Sequence, residues 1–247
     1  MNDQEAPDVK PFAAPAPRTI AIGDIHGCAT ALAALIAGLK PTSRDTVVML
    51  GDAVDRGPSS KGCIAQLMEL RERTNLVCIL GNHEQMLIDA VAGDIPVQEW
   101  LYHGGAQTLD SYGKGFGVNA ILPEHVDFIN TWVDVYETEG HFFAHGNYLA
   151  TRPLDRQPWI DLRWQSLKWH TPAAHMSGKT AILGHTSQKQ GTILNLGHLV
   201  CIDTYCCGGF WLTALDVTTG RVWQANEQGQ FRTGELPPIQ ALTPARS

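Results

Sequence analysis

Short apolar runs that each stop at a glycine dominate the first third of the chain and restrict its fold more than any other feature. Arg18–Ile22 is strand-like and stops at Gly23; Thr46–Leu50 is a continuous apolar run that stops at Gly51; Leu76–Leu80 is another that stops at Gly81. Runs of this length without alternation mark strands covered on both faces. Helical segments intervene. Ala29–Leu39 is rich in alanine and leucine, which favour helix. Ser60–Arg71 places Cys63, Ile64, Leu67 and Met68 at helical spacing, and Glu84–Ala92 comes after the third run. The order β-α-β-α-β-α predicts a parallel sheet with crossover helices. Ligands of such sheets bind outside the carboxyl ends of the strands, so the residues just after the three glycines gather on one rim.

Those residues share one chemistry. The segments are Gly23-Asp24-Ile25-His26-Gly27, Gly51-Asp52-Ala53-Val54-Asp55-Arg56-Gly57 and Gly81-Asn82-His83-Glu84. Two later apolar runs end alike, Phe142-Phe143-Ala144-His145-Gly146 and Ala181-Ile182-Leu183-Gly184-His185-Thr186. Carboxylate, imidazole and amide oxygen together suit manganese, iron or zinc better than calcium, which prefers oxygen alone. An aspartate can bridge two such ions, and two metals roughly 3.5–4 Å apart can clamp a phosphoryl group for in-line attack by water. Taken singly, each residue is explained as well by a cap or a turn. Five strand ends of the same chemistry are not.

The rest of the chain reads differently. Pro96–Val135 suggests helices and loops, with a glycine-rich stretch from Tyr112 to Gly117. Strands are expected at Val133–Thr138, Phe142–Ala144, Thr180–Leu183, Thr192–Leu194, Leu199–Ile202, Trp211–Val217 and Arg221–Ala225. Turns at Glu139-Gly140, Asn195-Leu196-Gly197 and Thr218-Thr219-Gly220 suit hairpins. The expectation is one mixed α/β domain over 18–234, with a helical insert at 96–131, parallel in its first third and largely antiparallel at its end. Proline-rich ends predict a disordered leader over 1–17 and a flexible tail over 235–247.

Bulk properties exclude some classes. The net charge of −7 argues against a non-specific nucleic-acid binder. No apolar run approaches the roughly 20 residues of a membrane-spanning helix, and no charged-then-apolar leader opens the chain. The expected location is therefore cytoplasmic, with no membrane partner. Cys28, Cys63, Cys78, Cys201, Cys206 and Cys207 contain no C-x-x-C pair and are expected to be reduced thiols, mostly buried.

As a set, Asp-x-His-Gly, Gly-Asp-x-x-Asp-Arg-Gly, Gly-Asn-His-Glu, His-Gly and Gly-His resemble the calcineurin-like metallophosphoesterase superfamily. More narrowly they resemble its phosphoprotein phosphatase branch, which includes the lambda-phage phosphatase type and the symmetrical diadenosine tetraphosphate hydrolases. The resemblance spans about Arg18 to Ala225. It implies a mixed β-sandwich flanked by helices and two divalent metal ions, manganese first, with iron or zinc as alternatives. Asp24 and His26 would bind the first metal, Asp52 would bridge, and Asn82, His145 and His185 would complete the second. Arg56 would hold phosphate oxygens, which suit a planar guanidinium. His83 would be the general acid, with Asp55 taking its other ring proton. Ser187 stands where many other branches carry a second histidine in Gly-His-x-His, which favours the phosphoprotein phosphatase branch.

There are departures. A bacterial Leu-Trp-x-Arg pattern would put a second phosphate-binding arginine near Ser166; this chain offers Arg163 instead, with Arg152 as an alternative and a plain surface role open for both. Ile202-Asp203-Thr204-Tyr205-Cys206-Cys207-Gly208 resembles both Ile-Asp-Thr-Gly and Asn-Tyr-Cys-Gly, so Tyr205 either overhangs the site as a substrate contact or packs in the core. Trp100-Leu101, Gly104-Gly105, Thr108-Leu109 and Ser111-Tyr112-Gly113 resemble a helical cap that helps choose the substrate. His198 is the only other histidine considered as a ligand.

The implied activity is hydrolysis of phosphate monoesters by direct attack of a metal-bridging hydroxide. The expected partner is a serine/threonine phosphoprotein or a small phosphoester. The alternative is hydrolysis of diadenosine tetraphosphate or another nucleotide. A third reading is a non-catalytic binding module, which should have lost ligands or the acid. Oligomeric state is left open.

Overall fold

The computed structural model describes residues 16–113 and 117–240, so most of the expected leader lies outside the described residues. The first six elements match the sequence pattern: β1 (Thr19–Ile22), α1 (Ala29–Leu39), β2 (Thr46–Met49), α2 (Ser60–Arg71), β3 (Asn75–Cys78) and α3 (Asn82–Ala92). Then come α4 (Val97–Trp100), a π-helical turn at Leu101–Gly105, α5 (Ala106–Tyr112) and α6 (Pro123–Ile129). The remainder is β4 (Tyr136–Glu137), β5 (His141–Ala144), α7 (Trp159–Trp164), β6 (Thr180–Leu183), β7 (Leu194–Asn195), β8 (Leu199–Cys201), β9 (Leu212–Asp216), β10 (Arg221–Ala225) and β11 (Phe231–Glu235).

These strands form two sheets, ordered β11-β10-β9-β1-β2-β3 and β4-β5-β6-β8-β7. β1, β2 and β3 are parallel and in register, Ile22 beside Met49 and Met49 beside Cys78. Alternate residues of each strand face opposite ways. Ala21, Val48 and Leu50 point between the sheets, where they meet Phe143, Ile182, Val200 and Ile202. Ile20, Ile22, Val47 and Met49 point outward onto Leu32, Leu35, Ile64 and Leu67 of α1 and α2. Both faces of β1 and β2 are covered, which is why these two strands are continuously apolar. Apart from Ala21, each such side chain contributes about 1.5–3 kcal/mol by burial. The architecture is the expected sandwich flanked by helices.

Three features depart from expectation. Antiparallel pairing holds at the end of the chain, β9 with β10 and β10 with β11, but not between the strands before it: β5 pairs parallel with β6, and β6 parallel with β8. Long crossovers connect these strands, and the short turns make hairpins, joining β4 to β5, β7 to β8, β9 to β10 and β10 to β11. β11 was not expected; it is exposed along its length and so carries no burial pattern. The boundary drawn at 235 on its prolines is also displaced. Glu235 ends β11, and beyond it Leu236 N–H donates to Gly220 O at 2.7 Å and Gln240 N–H to Asn195 O at 2.7 Å. Residues 241–247 lie outside the described residues.

Parallel order places the carboxyl ends of β1, β2 and β3 together, and those of β5 and β6 together. The two groups face each other across the sandwich, because the Nδ1–H of His145 donates to Leu50 O at 2.7 Å.

Candidate metal centre

The loops after these strands hold unusual backbone. His26, Asp52, Asp55, Arg56, His185 and Tyr205 all have φ between 45° and 69°. Left-handed backbone at a residue with a Cβ costs on the order of 1–2 kcal/mol and persists only where the surroundings enforce it. Backbone bonds enforce it here. Ile25 N–H and His26 N–H both donate to Asp52 O, at 3.1 and 2.7 Å, and Gly27 N–H donates to Ala53 O at 2.9 Å. The buried Glu84 carboxylate accepts from Asp52 N at 2.8 Å, Ala53 N at 2.7 Å, Val54 N at 3.3 Å and Gly81 N at 3.2 Å. One side chain thus ties the start of α3 to the whole loop after β2. Gly57 is required as glycine, since a Cβ there would overlap His26 O.

Backbone carbonyls then set the tautomers. His26 Nδ1 lies 2.9 Å from Val54 O, His145 Nδ1 2.7 Å from Leu50 O, and His185 Nε2 3.0 Å from Trp164 O. A carbonyl can only accept, so each of these nitrogens carries a proton, and in the neutral ring the other nitrogen presents a lone pair. Those lone pairs converge on Asp52. His26 Nε2 is 3.4 Å from Asp52 Oδ2, while His145 Nε2 is 3.3 Å from Asp52 Oδ1. Asn82 Oδ1 lies 3.1 Å from His145 Nε2 and 3.0 Å from His185 Nδ1, and those two nitrogens are 3.2 Å apart. Two groups suited to a metal result, His26-Asp52-His83 and Asp52-His145-His185, with Asp52 common to both.

Acceptors packed this closely repel unless positive charge joins them. The pKa directions report the same demand. Burial disfavours the charged form of His145, yet Asp52 and Asp24 outweigh it and push this histidine up to about 10. Burial and the neighbouring His145 bring His185 down to about 4. Burial opposes ionisation of Asp52, but His145 and His83 hold it well below the ordinary carboxyl value. Asp24 goes the other way, raised by burial and then by Asp203 and Asp52. The donor set therefore fits divalent cations: imidazole lone pairs with fixed outer hydrogen bonds, a shared carboxylate and an amide oxygen.

Asp24 stands apart from both groups. Its carboxylate accepts the His185 N–H at 2.9 and 3.1 Å. Asp203, buried beside it electrostatically, accepts Tyr205 N–H at 3.0 Å through Oδ1, while its Oδ2 has no hydrogen-bond partner among the described residues. No role was expected of Asp203 from the sequence.

On the other side of Asp52, His83 Nδ1 donates to Asp55 Oδ2 at 2.7 Å. Asp55 is fully buried and also accepts from Trp100 Nε1 at 3.0 Å and Thr108 Oγ1 at 2.7 Å. The helical segment expected as a substrate-selecting cap buttresses Asp55. It reaches the Arg56 loop as well, Arg56 N–H donating to Gly104 O at 3.1 Å. Trp100 and Thr108 were not foreseen in this role. The Arg56 guanidinium spans His26 Nε2 and His83 Nε2, at 2.8 Å from each.

A cleft of about 570 Å³ opens over Asp52, Arg56 and His185, and Tyr205 and Cys207 line it too. Arg163 does not reach it. Its guanidinium donates to Asp134 Oδ1 at 2.6 Å and to Gln85 Oε1, because Asp134 places a carboxylate in its path. Arg152 lines a different pocket, with Pro153 and Arg156. His198 Nε2 bonds to Pro172 O at 3.0 Å, away from the centre. All six cysteines are free thiols, five of them buried. Among the described residues, no helix is long and apolar enough to cross a membrane.

A profile described as Calcineurin-like phosphoesterase matches residues 17–207. The chain is 40% identical over 85 residues to Serine/threonine-protein phosphatase 1 of Salmonella typhimurium, covering 34% of this chain and 37% of that protein. It is 39% identical over 74 residues to the symmetrical Bis(5'-nucleosyl)-tetraphosphatase of Burkholderia thailandensis, covering 30% of this chain and 26% of the relative. These matches thus span well under half of either relative. A crystal structure of a putative diadenosine tetraphosphatase superposes with TM-score 0.64 at 20% identity, covering 89% of this chain and 94% of that one. A cold-active protein tyrosine phosphatase superposes with TM-score 0.66 at 16% identity, covering 91% and 80%. These last two likenesses establish fold alone.

Proposed function

The chain belongs to the calcineurin-like phosphoesterase family, and from that premise we propose that it is a metal-dependent hydrolase of phosphate monoesters acting on serine/threonine phosphoproteins. The observation that carries the reading is the position of Asp52, one oxygen toward His26 and the other toward His145, each histidine presenting a lone pair. His26 and Asp52, with Asp24, would hold one divalent cation; Asp52, Asn82, His145 and His185 would hold the other. Manganese is the first expectation. Bound there, the cations would supply charge to neutralise phosphoryl oxygens and to ease deprotonation of water at neutral pH.

The chain's own residues supply the rest. Arg56 would orient the phosphate through paired N–H donors. His83 would pass a proton from Nε2 to the leaving oxygen. Asp55 holds Nδ1–H of that ring and would balance its charge, and Trp100 and Thr108 hold Asp55. Both residues have left-handed backbone, and their side chains meet the same ring, Asp55 at His83 Nδ1 and Arg56 at His83 Nε2. The segment 40% identical to the Salmonella phosphatase supports the phosphoprotein reading, and the Burkholderia match supports dinucleoside tetraphosphate as the alternative substrate.

The test uses manganese-loaded protein and its His83→Asn variant on a phosphoserine peptide and on an aryl phosphate. A positioned acid contributes roughly 10²–10⁴-fold. Turnover of the peptide should fall by about that factor, and turnover of the aryl ester, whose leaving group needs no proton, much less. Equal losses on both would remove His83 from the acid role.

A further inference from the structure

We infer that Lys168 and Lys189 form a second anion subsite, so that the preferred substrate carries another phosphate or carboxylate beside the phosphate that is cleaved. This rests on the phosphoesterase reading above and names a substrate class within it.

Both lysines line the cleft over Asp52, and both also line a second pocket of about 530 Å³ that adjoins it. They share that boundary with Ser187. Neither ammonium forms an ion pair among the described residues, whereas Lys179 and Arg163 are paired. The Lys189 ammonium instead lies 5.9 Å from the Tyr205 ring centroid. Among the described residues lining the two pockets, the one carboxylate is Asp52, which would be engaged by metal. In a chain of net charge −7, two unpaired cations on an acid-free lip form a local positive field. Such a field draws and orients anions.

The adjoining pocket indicates what lies beyond the second anion. Thr171, Gln188, Gln190, Thr192 and Gln240 line it with hydrogen-bonding groups and no charge. Trp169, 84% exposed beside Lys168, offers a flat aromatic face at the cleft mouth. A compact monoester such as phenyl phosphate would fill the cleft and leave the subsite untouched. A polyphosphate chain, or a phosphorylated residue with an acidic one next to it, would span both.

The experiment compares manganese-loaded wild type with the K168A/K189A variant on four substrates. These are phenyl phosphate, diadenosine tetraphosphate, a phosphoserine peptide flanked by glutamates, and its glutamine-flanked counterpart. Close charge pairs at a partly exposed site support a change of roughly tenfold. On whichever substrate carries the second anion and is turned over, KM should rise about tenfold. Phenyl phosphate and the glutamine-flanked peptide should change less than twofold. The two anionic substrates tell a polyphosphate from an acidic peptide as the source. Unchanged KM on both, or an equal rise on phenyl phosphate, overturns the subsite. Should wild type hydrolyse none of the four, the phosphoesterase reading fails by itself, and calorimetric titration with pyrophosphate and phosphate still decides the subsite. The variant should then lose at least fivefold in pyrophosphate affinity and less than twofold for phosphate. Equal loss for the two ligands, or no loss for either, refutes it.

Discussion

Replacing Asp55 by asparagine should separate positioning from chemistry. Three donors converge on its carboxylate: His83 Nδ1–H, Trp100 Nε1–H and the Thr108 hydroxyl, at 2.7, 3.0 and 2.7 Å. An asparagine of the same shape has one accepting oxygen. If that oxygen faces His83 and Trp100, the amide nitrogen faces Thr108, whose hydroxyl can turn toward Ser60 Oγ at 2.8 Å. The structural cost is then one charge-assisted bond exchanged for a neutral one, about 1–3 kcal/mol. If the nitrogen faces His83 instead, the ring must take the other tautomer. Either way, no negative charge balances the ring when both nitrogens are protonated. Turnover of an alkyl phosphate should fall by roughly 10²–10³-fold, the lower part of the range of general acid catalysis, while an aryl phosphate loses less than about tenfold. Steady-state kinetics on the two esters, with urea unfolding of the same samples, measures both effects. A loss that is the same on both esters, or alkyl-ester turnover within threefold of wild type, would refute the coupling of Asp55 to His83.

Two further outcomes are expected. Asp45 accepts from the Arg18 backbone and guanidinium and from Thr42, at 2.7–3.1 Å, tying the start of β1 to the loop before β2. The Arg18 bonds hold its carboxyl well below the ordinary value, so its contribution is complete above the unfolded pKa of about 3.9 and is lost as pH falls through the folded value. Because Arg18 is partly exposed, Asp45→Asn should cost about 1–2 kcal/mol at pH 7. In urea titrations the gap to wild type should stay level down to about pH 5 and close under more acid conditions; a gap that widens on acidification contradicts the assignment. Glu84→Gln turns an amide nitrogen toward N–H donors, which should cost about 1–3 kcal/mol and weaken metal binding by loosening the Asp52 loop. Thermal melts and metal titration both read this, and unchanged metal affinity would show that Glu84 does not hold the site.

Much of the rim was legible because burial and chemistry coincide there. β1 and β2 are covered on both faces and the edge strand β3 is partly buried, so their apolar runs stand out, and each run ends at a glycine with a residue of the centre directly after it. The parallel pairing of β5, β6 and β8 was not legible, because short turns such as Asn195-Leu196-Gly197 announce themselves and long crossovers do not. β11 has no buried face to announce it. Arg163 had the right residue type, but its fate depends on Asp134, 29 positions away. Trp100 and Thr108 lie 45 and 53 positions from Asp55, a juxtaposition only the folded chain makes. Glu84 stood next to His83 in plain view, yet its partners are backbone N–H groups, which leave no mark in sequence. Left-handed backbone at the six site residues other than glycine likewise has no signature.

Anomalous diffraction from a crystal of the manganese-loaded protein addresses Asp52 most directly. Two peaks are expected, one on the His26 side of its carboxylate and one on the side shared by Asn82, His145 and His185. A single peak, or metal bound only away from Asp52, would contradict the account.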